Sequence, residues 1–580
     1  METTDSEQKY SLWASYRSFS PAQRQTLPRL LTKKDRVLLL IFFTAFIVSF
    51  TYGAYSLTDR YSIAVPAEGG ALREGIIGIP RFINPLLASS DADRDLTAVV
   101  YSGLLRNNGK GELVTSLADH FEISDDGLTY TFYLKDDLRW SDGERVGADD
   151  VLFTISLVKD PNYRSVLRPN WEGVIVEKKD EKTIEFKLAK PYAPFLENVT
   201  IGILPKHVWQ DVLAPEFTLS EKNLRPVGAG PYRVVSFEQN STGRIASYTL
   251  EPNPHYMPHA PPIKTLTFVF FTSATELQNA YQNNLIDSAS IPGMIPLAFS
   301  DATTLSLPLP RIFGVFFNQN SSKALADDAV REALTYATNR EHLVESVLQN
   351  QGIAIWEPLP PQTLTSENTS NQNPYLFDVS ASTEILTKAG WIDSDEDGIR
   401  EKEIDKANVP LSFTISTSDA PDLVSTARLL QEMWRQVGAQ VNLSIFEIGD
   451  FEQDVLRPRK YEAVLFGEVF GFEPDPFAFW HSSQRNDPGL NIALYTNPRA
   501  DTLLEQARTQ IDRAQREKTY REFQHMVTEE HPAVFLYSPY YHYKISATVH
   551  GHSITRITNL SDRFGSIHEW FIKTKKQWKN

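Results

Sequence analysis

Twenty-one consecutive residues without a charge, Val37 to Leu57 (VLLLIFFTAFIVSFTYGAYSL), split this 580-residue chain into two unequal parts. At about 1.5 Å per residue, a helix of that length crosses a hydrocarbon core of about 30 Å. The flanking charge gives the helix a direction. Residues 1–57 hold seven basic side chains (Lys9, Arg17, Arg24, Arg29, Lys33, Lys34, Arg36) and four acidic ones (Glu2, Asp5, Glu7, Asp35). Residues 58–580 hold 50 basic and 69 acidic side chains. The positive-inside rule then places residues 1–36 in the cytoplasm and everything after Thr58 outside, with Tyr52 and Tyr55 at the interface. A cleaved signal peptide is the alternative. The 36 residues ahead of the stretch, its length and the lack of a small-x-small site after it speak for an uncleaved anchor, followed by a tether over 58–70.

What lies outside is too large for one hydrophobic core, so two to four structural units are expected. With 41% hydrophobic and 22% charged residues the chain is of ordinary globular composition. It has no cysteine, which removes disulfides, thiolate nucleophiles, Cys-ligated metals and lipidation on an N-terminal Cys. A net charge of −16 speaks against a nucleic-acid partner.

Period-2 alternation marks half-buried strands at Leu128 to Leu138, Thr183 to Leu188 and Tyr248 to Leu250. Asp149 is placed to cap a helix through Lys159, and apolar stripes predict helices over 327–338, 341–349, 423–437, 500–511 and 514–529. The fold class is mixed α and β. Pro-rich stretches at Asn253 to Pro262 and Trp356 to Pro374 read as connections.

Enzyme signatures are missing. There is no G-x-S-x-G, H-E-x-x-H or P-loop, and Gly228-Ala-Gly230 lacks the third glycine of a dinucleotide loop. No cofactor is expected. The pairs His255/His259 and His550/His552 read as solvated or core histidines, and Asp149/Asp150 as helix capping. Asp393, Asp395, Asp397 and Gly398 match the start of an EF-hand loop, but position twelve is Ile404 where a bidentate Glu belongs. An acidic turn is the better reading, with calcium as the alternative.

The order of several segments resembles the family-5 extracellular solute-binding proteins, the oligopeptide, dipeptide and nickel receptors of bacterial ABC importers. These segments are INPLLASSDADRD (Ile83 to Asp95), SDDGLTYTFYLKDDLRWSDGERVGADDVLFTI (Ser124 to Ile155), ILPKHVW (Ile203 to Trp209), PVGAGPYRVVSFE (Pro226 to Glu238), VREALTYATNRE (Val330 to Glu341), AGWIDSDEDGIREK (Ala389 to Lys402), DPFAFWHSSQ (Asp475 to Gln484) and PAVFLYSPYYHY (Pro532 to Tyr543).

The resemblance implies a periplasmic-binding-protein-like fold of two hinged lobes. Lobe I would comprise 71–104, 223–312 and 528–560, an inserted domain 105–222, the other lobe 313–527, and 561–580 a C-terminal tail. Hinge strands are expected near Leu309 to Asn318 and Thr528 to Tyr537. The implied function is a monomeric, membrane-anchored receptor, periplasmic or at the cell surface, that delivers peptides or a similar small solute to an ABC permease. By position the ligand lining would include Ser89, Asp91, Phe316, Asn318, Glu468, Val469, Phe470, Phe472, Glu473, Asp475, Trp480, Tyr540 and Tyr541. One departure stands out: the Asp that pairs with a peptide's ammonium four residues before a Pro is Phe472 or Phe470 here. Asp475 or Glu473 is expected to replace it, or the ligand lacks a free amine. A membrane-tethered sensor or chaperone without a transporter is the alternative function, and an extracytoplasmic hydrolase the remaining one.

Overall fold

The computed structural model describes residues 32–291, 302–360, 373–471 and 473–578. The chain divides into a small unit, made of residues through Ala67 together with Thr574–Asn580, and a large one, Glu68–Lys573. In the small unit a 29-residue helix, α1 (Lys33–Tyr61), runs into β1 (Ser62–Ala67), which pairs with the chain's last strand, Lys573–Trp578. Thr32 and Asp35 cap the helix reciprocally: the Asp35 N–H donates to Thr32 Oγ1 (3.3 Å) and the Thr32 N–H to Asp35 (3.0 Å). Within the apolar stretch the hydroxyls of Thr44 and Thr51 donate to the carbonyls of Leu40 (2.7 Å) and Ile47 (2.8 Å), which leaves them no need of water. The stretch expected at 37–57 is thus the middle of a longer helix that reaches into both charged flanks. By length and composition its segment Lys33–Gly53 is able to cross a membrane.

The large unit begins with β2 (Ala71–Ile77) and helix α2 (Asp91–Val100). An insert then forms its own antiparallel sheet from β3 (Ala118–Ile123), β4 (Thr129–Leu134), β5 (Ile175–Lys178) and β6 (Thr183–Lys187), with α3 (Ala148–Lys159) against it. Alternation works as read here: Tyr130, Phe132 and Leu134 are buried and their neighbours half-buried. The helix cap differs from expectation. Gly147 holds the N-cap position, and its N–H donates to Asp150 (2.9 Å), leaving Asp149 to pair with Lys178 (2.6 Å).

The main sheet continues with β7 (Tyr232–Gln239), β8 (Ile245–Pro252), β9 (Thr265–Phe271), β10 (Ser288–Ile291) and β11 (Ala302–Pro308). β12 (Arg311–Phe317), β13 (Gly352–Ala354), β14 (Ser412–Ser418), β15 (Gln440–Phe446) and β16 (Ala463–Val469) follow, before the fourteen-residue β17 (Ala533–Ser546). The five helices predicted over this stretch form as Asp328–Tyr336, Arg340–Ser346, Pro421–Arg435, Pro498–Thr509 and Arg513–Glu530. Strand order is β15-β14-β16-β12-β17-β10-β2-β9-β8-β7, with β11 and β13 also on β17.

β17 belongs to two lobes. Its first half pairs with β12, from Phe316↔Ala533 to Phe313↔Tyr537, and its second half with β11 and β10, from Pro308↔Tyr540 to Ala302↔Ser546. The chain therefore crosses between lobes at Leu309–Pro310 and again near Ser538–Pro539, at one end of each expected hinge strand. The crossings are tied together: Ser538 Oγ donates to the Leu309 carbonyl (3.0 Å) and the Leu309 N–H to the Pro539 carbonyl (3.4 Å). Each lobe has its own apolar interior. One continuous core serves the first lobe and the insert, and a small separate one lies under the helix Ala274–Gln282 of the first lobe; helices on both faces of the β12–β14–β15–β16 sheet give the second lobe two.

The segment read as a C-terminal tail is part of the first lobe's core. Arg563, Ile567 and Trp570 are fully buried, and the Arg563 guanidinium donates to Glu74 of β2 (3.0 Å) and Asp95 of α2 (2.6 Å). Tyr543 of β17 donates to the same Glu74 (2.9 Å), and Ser288 of β10 bonds to it as well. Burial lifts the Asp95 carboxyl to about 6 against the pull of Arg563. Arg563→Met leaves two carboxylates without their cation in a dry core. We expect a loss of roughly 3 to 5 kcal/mol in chemical denaturation, whereas a dispensable tail would show no loss.

Candidate ligand-binding cleft

In open α/β sheets, ligands bind beyond the carboxyl ends of the parallel strands. β14 is parallel to both β15 and β16, so the three end together, at Ser418, Phe446 and Val469. Antiparallel β12 starts at that edge, with Arg311 opposite Val469. In the first lobe β2 is parallel to β9 and β10, and its end feeds the loop Gly78–Ser90 that leads to α2. The candidate cleft lies between these edges.

The first-lobe loop is pinned from beneath. The buried Asp93 carboxylate accepts the N–H groups of Arg81 (2.6 Å) and Phe82 (2.9 Å) and forms a capping box with Ser90. Asn84, also buried, donates to Asn223 (3.0 Å) and accepts from the Leu86 N–H (3.0 Å). Above this support Ser89 is exposed, and Asp91 on the first helical turn pairs with Arg94 (3.1 Å). The PVGAGPY segment braces the far end of α2. The Gly230 N–H donates to the Val100 carbonyl (2.8 Å), and a Cβ on Gly228 would lie 2.0 Å from that oxygen. These glycines serve close packing and form no nucleotide loop.

At the second lobe's edge, Val469 is half exposed while Phe470 and Glu468 are buried. Among the described residues neither Glu468 carboxyl oxygen meets a hydrogen-bond partner; burial pushes this carboxyl well above the usual range, opposed by the Trp480 indole. Three expected lining residues pack into the core. Phe316 and Trp480 are fully buried against one another, with ring centroids 6.1 Å apart, and Phe535 lies beside both. Asn318 sits at the opposite end of β12 from the cleft edge, where its amide donates to the Tyr461 carbonyl (2.9 Å) and Ser321 (2.8 Å). The expectation that they line the cleft yields to this packing role. On β17 Tyr540 is half-buried opposite Pro308, and Tyr541 is buried in the first lobe. Phe472 lies outside the described residues, as does the N-terminal segment through residue 31.

The two carboxylates offered as counter-charges for a ligand amine are already engaged. Asp475 forms a salt bridge with Arg508 (2.6 Å) and accepts from Tyr192 Oη of the insert (3.2 Å); Glu473 pairs with Arg516 (2.9 Å). The Glu473 N–H also donates to Glu197, and the Ala193 N–H to the Arg508 carbonyl (2.8 Å). This acidic segment thus holds the insert against the second lobe, and the guanidiniums were invisible from its local sequence. Arg311 was missed altogether. Its position ahead of an apolar strand was the signal available.

The acidic turn also gathers differently from the sequence reading. The carboxylates of Asp393, Asp395 and Glu401 lie within 4.8 Å of one another, while Asp397 accepts the Ile399 N–H (2.7 Å). Asp393 accepts the N–H groups of Asp397 (3.1 Å) and Gly398 (3.0 Å), bonds that a plain turn needs. Neither histidine pair joins such a cluster among the described residues.

Two lobes crossed by one shared strand, with the ends of their parallel strands opposed, define a hinged binding protein. Residues 112–489 match the bacterial extracellular solute-binding proteins, family 5, and the chain belongs to that family. It is a solute receptor and not an enzyme. The Oligopeptide-binding protein AppA of Bacillus subtilis is 28% identical over 88% of this chain and 93% of its own length. Its solved structure, in complex with a nonapeptide, superposes with a TM-score of 0.66 over 88% of this chain and all of that one. The Dipeptide-binding protein of Escherichia coli is 26% identical over 79% and 87% of the two chains. NikZ of Campylobacter jejuni, solved with Ni(L-His), is 27% identical with a TM-score of 0.66 over 86% and 99%.

Two substitutions separate structure from recognition. Asp475→Asn strands Arg508, so unfolding should become easier by roughly 1 to 3 kcal/mol, while N-acetylating a bound peptide should cost wild type and variant the same in calorimetry. For Glu468, the raised carboxyl means that the native state holds its proton more tightly than the unfolded chain does. That contribution is complete below about pH 4.5 and is lost as pH climbs through the native value. Glu468→Gln should therefore melt above wild type at pH 8 and converge with it near pH 4; parallel melting curves across that range would refute the assignment.

Proposed function

We propose that this protein is a membrane-anchored, monomeric receptor that takes a peptide or a similar small solute into the cleft between its lobes and presents it to an ABC permease. The observation that carries this reading is the pair of hydrogen-bonded crossings at Leu309 and Ser538, the described places where the chain itself passes between the lobes and about which their edges can swing. A ligand that touches both edges stabilises only the closed arrangement, and that difference in affinity drives closure. The first lobe comprises 71–104, 223–309 and the chain returning from Pro539, the insert 105–222, and the second lobe 310–538, which moves the expected lobe limits at 312 and 527 to the two crossings. Ser89, Asp91, Val469 and Tyr540 are the sequence-predicted residues best placed to touch a solute. Glu473 and Asp475 serve to hold the insert to the second lobe. Relatives whose names specify oligopeptide and dipeptide support the solute class, and main-chain hydrogen bonding suits ligands of varied side chains.

Helix α1 anchors the receptor, with the basic N-terminal side in the cytoplasm and the large unit outside. No cysteine is available for a lipid to take over that task. Replacing residues 1–58 by a cleavable signal should release a folded receptor into the periplasm or medium, and mass spectrometry of what copurifies should find peptides. Recovery of the unaltered protein from the medium with an N-terminus beyond Leu57 would refute the anchor; a folded receptor that copurifies with non-peptide solutes alone would refute the solute class.

A further inference from the structure

Buried arginines in this protein have acceptors. Arg340 donates to the Phe535 carbonyl (2.7 Å), Arg331 to the His531 carbonyl (3.1 Å), Arg516 to Glu473 and Arg563 to its two carboxylates. Arg311 departs from this pattern. It opens β12 at the crossing between lobes, its Nε is buried, and among the described residues no carbonyl, hydroxyl or carboxylate accepts a hydrogen bond from it. Burial works against its charge, and the group that works for it is Asp91 of the first lobe, whose carboxylate is held by Arg94 (3.1 Å). The side chain is half-buried and retains a solvent face, and opposite it on the neighbouring strand Val469 exposes half of its apolar surface.

A guanidinium carries five donors in a planar fork; here the Nε–H is the one shut away from water, and leaving such a donor unmade is costly unless a partner arrives. The partner that matches the fork is a carboxylate, bound through two parallel hydrogen bonds. We propose that Arg311 binds a carboxylate of the solute, so that the cleft selects acids. This inference rests on the receptor reading above and names the charge that the site takes. The carboxylate is a peptide's C-terminus or an acidic side chain, two sources with the same chemistry.

The test uses the full chain in detergent, as wild type, Arg311→Met and Arg311→Lys. Each is equilibrated with a casein hydrolysate, with the same hydrolysate after methyl esterification, and with synthetic C-terminally amidated copies of the peptides retained, and retention is quantified by mass spectrometry. Esterification should cut wild-type retention at least tenfold. Arg311→Met should lose as much on free acids and nothing further on esters, with Arg311→Lys between. Loss on C-terminal amidation alone identifies the C-terminus, and loss only on full esterification identifies side chains. Free acids retained equally by Arg311→Met and wild type overturn the inference. Should wild type retain none of the mixtures, the peptide reading fails, and a second measurement decides this inference. At constant ionic strength succinate should raise the melting temperature of wild type and not of Arg311→Met. An equal rise in both, or in neither, overturns it.

Discussion

β17 is a single run of backbone hydrogen bonds shared by two lobes. Its first residues complete the sheet of the second lobe through β12, and its last ones complete the sheet of the first through β10 and β11. A strand cannot be withdrawn from one sheet without exposing donors and acceptors in the other, so the two lobes stay in register at this seam. Arg340 reinforces it by donating to the Phe535 carbonyl from the helix behind. The cleft opens at the ends of the strands on either side, and every candidate contact is positioned by reference to this shared strand.

On the first-lobe side the seam is backed by charge as well as by apolar contact. Glu74, Asp95, Ser288, Tyr543 and Arg563 come from five separate segments and meet around one guanidinium. Two carboxylates in a dry interior are tolerable only with a cation between them. That requirement draws the end of the chain back onto the strand with which the lobe begins. Five segments are fixed relative to one another, and the α2 loop that faces the cleft inherits the resulting rigidity through Asp93.

The second lobe spends its acids differently. Glu473 and Asp475 neutralise Arg516 and Arg508 and reach the insert through Glu197 and Tyr192. A receptor organised this way has its conspicuous carboxylates committed to architecture. At the cleft edge it is Arg311 that keeps a buried donor, its Nε–H, without an acceptor among the described residues.

Much of this protein was decided locally and could be read from residue order. The apolar run of α1, the alternation in β4, the helical stripes and the recurrent segments all express contacts within a few residues of chain. Those segments turn out to be largely structural. Trp391 in AGWIDSDEDG donates to Asp327 (3.1 Å), Arg331 in VREALTYATNRE ties to His531, and the glycines of PVGAGPY admit the end of α2. Pattern therefore reported the fold more faithfully than the site. Phe316 and Trp480 looked like aromatic lining because sequence cannot tell a ring facing a cleft from one facing Phe535. Arg563 looked like tail because the carboxylates that need it lie 489 and 468 residues earlier in the chain. Which acids are paired, which arginine is not, and where the chain crosses between lobes depend on pairings across hundreds of residues. Charge compensation in a dry interior is settled by proximity in space, and only the folded chain supplies it.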